Sequence, residues 1–538
     1  MSQGSDFLQV PQRNNLVPDL ENIKVLFIYA NSPMDNLMPV SISSLAGALR
    51  RAGIDCRLFD TTYYPATKWT TGGKERKGSL EVAEFDYSEV GIKFKTTDVF
   101  EDLRKEVLDY QPNLIALSVV ESTYILGIKL LEYVRDLGVS TVVGGVFAIF
   151  SPDHVLQEPS VDFVCVGEGE EALVELCQKM ASGEDFTNVK NIWGKHDGKV
   201  FKNEKAQLVE LDQLPRLDFT PFDKKRIYRP MSGKLYRMVP IEFSRGCAYK
   251  CTYCSAPMFE MAFKEQGDWL RNKSIDNIRK EMEYYIREFD VEYFYFVSET
   301  FLAITDKRLL EFCDMYRKIG LPFWANTRPE TVKEESIKML EDIGCHRISI
   351  GVEAGNEEYR RKMLKRPVSN ERVIRACEIL SKSSIEMSVN NIIGFPGETR
   401  EMIFDTIRLN REIDADSYGC SIFQPYRGTE LFSYCVEQGY WDPSKLAIDL
   451  TVDSPLTQPH INSEEIRGLH RTFPLYIKFS EAEFKTIRRA ETFDTEGDGV
   501  YDELSRVFRE KYEKRVFYHN PKFEPTLSVV PETCEDQN

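Results

Sequence analysis

The stretch Val239–Cys254, VPIEFSRGCAYKCTYC, decides the reading of this 538-residue chain. Its first part, VPIEFS, is a short apolar run with β-branched and aromatic residues, which predicts a buried strand. Its second part places Cys247, Cys251 and Cys254 in a C-x3-C-x2-C pattern. Cysteines this close point to a metal centre. A structural zinc site needs a fourth ligand, usually from a second pair with its own short spacing. No such pair follows: Cys313 is the next cysteine, in a predicted helix, and His346 is the next histidine. Iron–sulfur clusters are held by cysteine thiolates, and three thiolates on a cubane leave one iron open to another ligand.

Downstream, strand-like runs recur at 291–297 (VEYFYFV), 321–326 (LPFWAN), 346–353 (HRISIGVE), 386–394 (EMSVNNIIG) and 417–425 (SYGCSIFQP). Helical patterns such as SIDNIRKEMEYYIREF and SIKMLEDIG fill the gaps. With VPIEFS these make six βα units, short of the eight of a full barrel, and the cysteines follow the first strand, at the end where barrel active sites lie.

Upstream, a second alternating series begins with IKVLFIYA (Ile23–Ala30) and continues through the strands DCRLFD, PNLIALSVV, STVVGG and VDFVCV. Strands alternating with helices imply right-handed crossovers and a doubly wound parallel sheet, with ligands at the carboxyl ends of its strands. Those ends carry Asn31, Ser32, Ser118, Gly144, Gly145 and Gly167–Gly169. Residues 61–98 read as an irregular insertion. The predicted organisation is a flexible arm (1–20), a doubly wound α/β domain (21–205), a proline-marked linker (206–236, with Pro215, Pro221 and Pro230), a partial (β/α)6 barrel (237–440), a helical C-terminal region (441–520) and a disordered tail (521–538).

A net charge of −17 argues against a broad nucleic-acid surface. The one basic run, YRRKMLKRP (Tyr359–Pro367), reads as a solvated helix face. No secretory signal and no run long enough to span a bilayer is seen, so the expected location is cytoplasmic. The nine remaining cysteines (Cys56, Cys165, Cys177, Cys313, Cys345, Cys377, Cys420, Cys435, Cys534) are scattered and read as buried thiols.

The three-cysteine motif, with Arg-Gly before it and Tyr253 before its last cysteine, resembles the radical S-adenosylmethionine (SAM) superfamily. The resemblance implies a 4Fe-4S cluster on Cys247, Cys251 and Cys254 whose open iron chelates SAM, and cleavage of SAM to a 5′-deoxyadenosyl radical. FVSETF (Phe296–Phe301) falls where that family meets the SAM amino group, with Ser298 and Glu299 in place of the usual motif. ISIGVEAGNEE resembles its fourth-strand pattern, implying a SAM contact from Glu353. VNNIIGFPGET resembles its fifth, implying one from Asn390. QPYRGTEL resembles its sixth-strand ending and begins at Gln424, and Arg328 in NTRPE is a candidate for the SAM carboxylate.

The upstream domain lacks a nicotinamide fingerprint, because YANSPMDN holds no glycine, and the carboxylates of GEGEEA (Gly167–Ala172) would repel phosphate. It resembles the cobalamin-binding domain of cobalamin-dependent radical SAM enzymes, through PVSISSLAGALRRAGIDCRLFD, IALSVVESTY, VVGGVFAIFSPDHVL and VDFVCVGEGEEAL. The cofactor contacts this implies are Ser118, Gly144, Gly145, Gly167, Glu168 and Gly169. The Asp-x-His-x-x-Gly motif of other cobalamin proteins is missing, and His154 reads as structural.

The combined resemblance implies a methyltransferase acting on an unactivated carbon, or a phosphinate phosphorus, of a small-molecule or lipid substrate. A flavodoxin or ferredoxin would supply electrons. A porphyrin-cyclase-like or lipid-modifying enzyme without methyl transfer would share these motifs. A non-catalytic electron-transfer protein is disfavoured by the ordered SAM motifs. A tRNA methylthiotransferase would need three further N-terminal cysteines and a basic RNA-binding module.

Overall fold

Runs of β-branched and aromatic residues too apolar to alternate become strands covered on both faces. In the computed structural model, which describes residues 23–32, 37–67, 80–81, 83 and 85–512, this holds for the central strands of both sheets, such as Lys24–Tyr29, Leu114–Ser118 and Tyr293–Val297. The predicted arm, the predicted tail and Cys534 lie outside the described residues.

The first sheet comprises β1 (Lys24–Tyr29), β2 (Asp55–Asp60), β3 (Leu114–Ser118), β4 (Ser140–Gly144), β5 (Phe163–Cys165), β6 (Ile192–His196) and β7 (Lys199–Lys202). Its order is β2-β1-β3-β4-β5-β6-β7, with β1 to β5 parallel. The order reverses between β1 and β3, the switch point where such sheets bind ligands. The β6–β7 hairpin, antiparallel at the end, was not anticipated. Its turn is Asp197-Gly198, with φ of 49° and 74°. Asp-Gly with both φ positive is the two-residue turn that right-twisted hairpins prefer, so the signal was present in the sequence.

The second sheet comprises β8 (Tyr228–Met231), β9 (Lys234–Glu242), β12 (Tyr293–Val297), β13 (Phe323–Thr327), β14 (Cys345–Glu353), β15 (Glu386–Ile393) and β16 (Ser417–Ile422). Between β9 and β12 a two-residue ribbon pairs β10 (Ser244–Arg245) with β11 (Arg271–Asn272). The order β16-β15-β14-β13-β12-β9-β8 is that of an open, six-stranded parallel barrel sheet with one antiparallel edge strand. The crossover helices start where the sequence supplies a cap. Ser274, Thr305, Ser369, Thr399 and Thr429 each accept a backbone N–H of the first turn.

Two expectations change. The 206–236 stretch contributes β8 and the start of β9, and its Leu217, Phe219, Phe222 and Ile227 belong to one apolar cluster that runs from Val25 and Phe27 of the first sheet to Val239 and Ile348 of the barrel. It is packed chain rather than a free linker. The region after 440 begins as an irregular strap and turns helical only at Ser463–Lys478, Phe484–Ala490 and Thr495–Tyr512. Among the described residues no helix is long and apolar enough to cross a membrane.

The turn after β15 shows how a charge-bearing side chain can serve as a neutral one. The backbone N–H groups of Gly394 and Phe395 both donate to the same oxygen of the buried Glu398, at 2.7 and 3.2 Å. Burial raises its pKa from 4.5 to about 8. A carboxyl with a raised folded-state pKa loses stability as the pH rises between the two values. Glu398→Gln, which keeps the accepting oxygen, is therefore expected to fold. In denaturant titrations the stability of wild type relative to this variant should fall steadily from pH 4.5 toward 8. A pH-independent difference would count against a protonated Glu398.

Candidate functional site

The cysteine loop leaves the barrel at the end of β9 and is closed at its base by the β10–β11 ribbon. Gly246 has φ of 101°, and a Cβ there would come within 2.4 Å of the Trp269 carbonyl oxygen, so the Arg-Gly before the first cysteine is dictated by this close approach. Cys251 is buried; Cys247 and Cys254 are half-buried. Burial pushes the Cys247 thiol up and the Cys254 thiol to about 11. Arg328 Nη1 lies 3.0 Å from Cys251 Sγ, and the Ala256 N–H donates to Cys254 Sγ at 3.5 Å. Donors aimed at sulfur suit thiolates carrying metal. Among the described residues no group of three or more His, Cys, Asp or Glu side chains converges as the shell of a single ion.

Around this loop the barrel tops bring together most of the residues expected to meet SAM. Ser298 and Glu299 follow β12. Ser298 is buried and shares a 2.7 Å hydrogen bond with Ser244 Oγ, so it braces the loop's base. Glu299 is accessible yet hemmed in by protein, and this confinement raises its pKa to about 7. Glu353 ends β14 with φ of 70°, at a register shift against β15. A non-glycine residue held there is strained, and such strain gathers at functional sites. Its carboxylate lies 3.5 Å from Arg366 Nη1, which also reaches Tyr253 Oη at 3.4 Å. Arg328 stacks 3.7 Å over Tyr249 and pairs with Glu330 at 2.6 Å. The Nε atoms of Arg328 and Arg366 are buried without a hydrogen-bond partner, two donors available to an anionic group. Asn390 is exposed beside Gly419. Gln424 does not join them. Its amide is committed to the strap, donating to Asp453 O at 2.9 Å and accepting from Ile448 N at 3.1 Å.

In the first domain, Ser118, Gly144 and Gly145 stand at the carboxyl edge of β3 and β4. Gly145 has φ of 101°, and a Cβ would lie 2.4 Å from Val119 O. Gly145→Ala combines a left-handed backbone with overpacking, and about 3 kcal/mol of destabilisation is expected in denaturant melts. Val120 and Val146, directly after this edge, are 48% and 39% exposed, apolar surface that fits a ligand with a broad hydrocarbon face. Gly167 is small for packing, since a Cβ would lie 2.5 Å from the Asn191 side chain. The Glu168 carboxylate, expected to meet the cofactor, is instead engaged by Arg245, Arg271 and the Val209 N–H. Gly169 packs against Leu45 and Cys165. The His154 ring lies against Tyr124 and Phe147, with centroids 5.5 and 5.9 Å away.

The carboxyl edges of the two sheets face each other. After β1, Met38 O accepts from Tyr295 Oη of β12 at 3.0 Å. After β3, buried Glu121 accepts from the backbone N–H groups of Arg427 and Ala447, both at 3.0 Å. After β4, the Phe150 ring meets Phe259, just past the cysteines, with centroids 4.7 Å apart, and packs on Gly428.

Sequence reasoning missed Arg366 and Arg360. The run YRRKMLKRP is one short helix, Glu357–Lys362, and then a loop. Arg360 is fully buried on the carbonyls of Ala354 and Val368, and Arg366 is 3% exposed. The available signal was Pro367, which bars the residue before it from a helix and so puts Arg366 off the predicted face.

Residues 241–409 match the family model of the Radical SAM superfamily, and residues 76–177 that of the B12 binding domain. An uncharacterized methyltransferase of Pyrococcus horikoshii is 26% identical over 71% of this chain and 81% of its own length. An anaerobic magnesium-protoporphyrin IX monomethyl ester cyclase of Rubrivivax gelatinosus is 25% identical over 63% of this chain and 61% of its own length. A cytidylyl-2-hydroxyethylphosphonate methyltransferase of Streptomyces wedmorensis is 21% identical over 77% and 80%. Among solved structures, the cobalamin-dependent SAM radical enzyme OxsB superposes with a TM-score of 0.62 at 17% identity, covering 92% of this chain and 72% of that one. The radical SAM methyltransferase TsrM of Kitasatospora setae superposes with a TM-score of 0.60 at 15% identity, covering 90% and 99%. These two likenesses concern the fold.

Proposed function

The chain belongs to the cobalamin-dependent radical SAM enzymes, which use a 4Fe-4S cluster, SAM and cobalamin, and on that premise we propose that it is a methyltransferase acting on an unactivated carbon of a small molecule. The observation that carries this reading is the meeting of the two carboxyl edges, after β1, β3 and β4 on one side and at the barrel top on the other. A substrate held between them would touch both cofactor sites, and pockets commonly form at such domain interfaces. The methyltransferase relatives are matched over 81% and 80% of their length and the Rubrivivax cyclase over 61%, which favours methyl transfer over ring formation.

Bound at these sites, the cluster with SAM supplies one-electron chemistry at an unactivated C–H bond, and cobalamin supplies methyl transfer. The chain's own residues divide the rest. Cys247, Cys251 and Cys254 would hold the cluster, with Arg328 donating to Cys251. Glu299 and Glu353 offer carboxylates to the SAM ammonium, and the orphan Nε donors of Arg328 and Arg366 suit its carboxylate. Val120 and Val146 would supply apolar contact to the cobalamin. Glu121, through Arg427 and Ala447, holds the strap across the interface and keeps water from the reacting groups. A low-potential donor such as a flavodoxin or ferredoxin would deliver electrons.

The test is anaerobic reconstitution with iron, sulfide and hydroxocobalamin, followed by turnover of candidate substrates with SAM and a reductant. Methyl transfer requires 5′-deoxyadenosine and S-adenosylhomocysteine, both rising with substrate. Substrate-dependent 5′-deoxyadenosine without S-adenosylhomocysteine would overturn it in favour of a ring-forming reaction.

A further inference from the structure

Glu168 sits in the turn after β5, at the carboxyl edge of the cobalamin-binding domain, yet its side chain leaves that domain. The turn itself is fixed from behind. Asn191, buried and at φ of 64°, donates to the Glu168 carbonyl at 2.9 Å and accepts from Ala206 N at 2.8 Å. The carboxylate then reaches the base of the cysteine loop. One oxygen accepts from Arg245 and Arg271, both at 2.6 Å. The other accepts from Arg271 at 3.0 Å and from Val209 N at 2.8 Å.

Arg245 and Arg271 are directly paired across the β10–β11 ribbon. Like charges facing each other across two strands oppose the pairing. The ribbon closes the loop that carries all three cysteines, and Arg245 stands two residues before Cys247. Glu242 and Glu170 share Arg245, at 2.9 and 3.0 Å, but Glu168 is the residue that grips both arginines. The five side chains are 6–18% exposed, so solvent does little to screen them. Burial works against charge on Glu168, and the two arginines outweigh it and hold its pKa below the usual carboxylate range.

We propose that Glu168 is a positioning residue that couples cobalamin binding in the first domain to the seating of the cysteine loop in the second. The inference rests on Cys247, Cys251 and Cys254 holding the cluster. A ligand bound along the carboxyl edge of β4 and β5 would bear on the 167–169 turn and, through Glu168, on the arginine pair beneath the loop. By linkage, a loop ordered by its cluster strengthens cobalamin binding by the same factor.

The experiment measures the hydroxocobalamin dissociation constant anaerobically by absorbance titration, with and without the reconstituted cluster. Wild type is expected to bind cobalamin about 10-fold more tightly when the cluster is present, within the usual range for coupled sites. Glu168→Gln, close in shape but uncharged, should bring the ratio to about 1 while both cofactors still load separately. Arg271→Gln breaks the same bridge from the other side and should do the same, which decides the matter if the first variant misfolds. Glu171→Gln, exposed in the first turn of the Glu170–Ser182 helix that follows Glu168, should keep the wild-type ratio. A wild-type ratio near 1, or an unchanged ratio in Glu168→Gln and Arg271→Gln, overturns the proposal. Failure of wild type to take up the cluster, or of a cysteine variant to lose it, would instead overturn the cysteine assignment and the proposal with it.

Discussion

Replacing Cys247, Cys251 or Cys254 singly with Ala will leave the reconstituted protein with iron at background and SAM cleavage down by more than about 100-fold, beyond the 10–100-fold that changes around a metal's ligands produce. The reason is the ligand number. Cys251 and Cys254 are separated by two residues of one tight loop, and the Cys254 N–H already turns back onto Cys251 O at 3.3 Å. That geometry leaves the backbone no slack to bring in a substitute. The other described cysteines lie elsewhere: Cys313 is buried in the Asp306–Tyr316 helix and Cys345 begins β14. Cys313→Ala should therefore keep its iron and lose only packing, about 1 kcal/mol. Iron and sulfide per chain, with the electron paramagnetic resonance signal after dithionite reduction, read the result. A single-cysteine variant that keeps wild-type iron would refute the assignment.

Arg366→Met will destabilise the fold by about 3 kcal/mol, because it strands the half-buried Glu353 carboxylate. Burial already raises the Glu353 pKa, and Arg366 is the main charge that offsets this. The same guanidinium donates to Gly351 O at 2.5 Å, on the strand that carries Glu353 into its left-handed turn. Adding Glu353→Gln to Arg366→Met removes the stranded charge and should restore most of the stability in a denaturant titration. It should not restore binding of a non-cleavable SAM analogue, measured by calorimetry on the reconstituted protein. If the double variant binds the analogue as wild type does, Arg366 and Glu353 are a structural pair only.

The strands around the site were legible because each is a short local pattern. VEYFYFV and HRISIGVE became β12 and β14 within two residues of their expected bounds, and the caps at Ser274, Thr305 and Thr399 mark helix starts in the chain itself. The three cysteines were legible for the same reason, since residues on one loop are spaced by sequence. The two tight hairpins were missed though Asp197-Gly198 and Ser232-Gly233 announce them, because the short strands beside them are partly polar; the second fell in the expected linker and the first was given no element.

Side-chain roles were a different matter. Glu168, Gln424 and Arg366 look alike in the chain, polar residues beside glycine or proline, and they do three different things. Glu168 grips two arginines of the other domain, Gln424 ties down the strap, and Arg366 faces Glu353. Each partner lies beyond the reach of a local pattern, and a carboxylate or guanidinium carries no local mark of which one it will meet. By itself the sequence determined the two α/β series, the three-cysteine loop and the order of the barrel motifs, because hydrophobic periodicity, capping and residue spacing act within a few residues. Only the tertiary structure decided that the two carboxyl edges face each other and that a glutamate of one domain closes the base of the other's cysteine loop. Those arrangements depend on charges being buried together, and burial is a property of the packed chain.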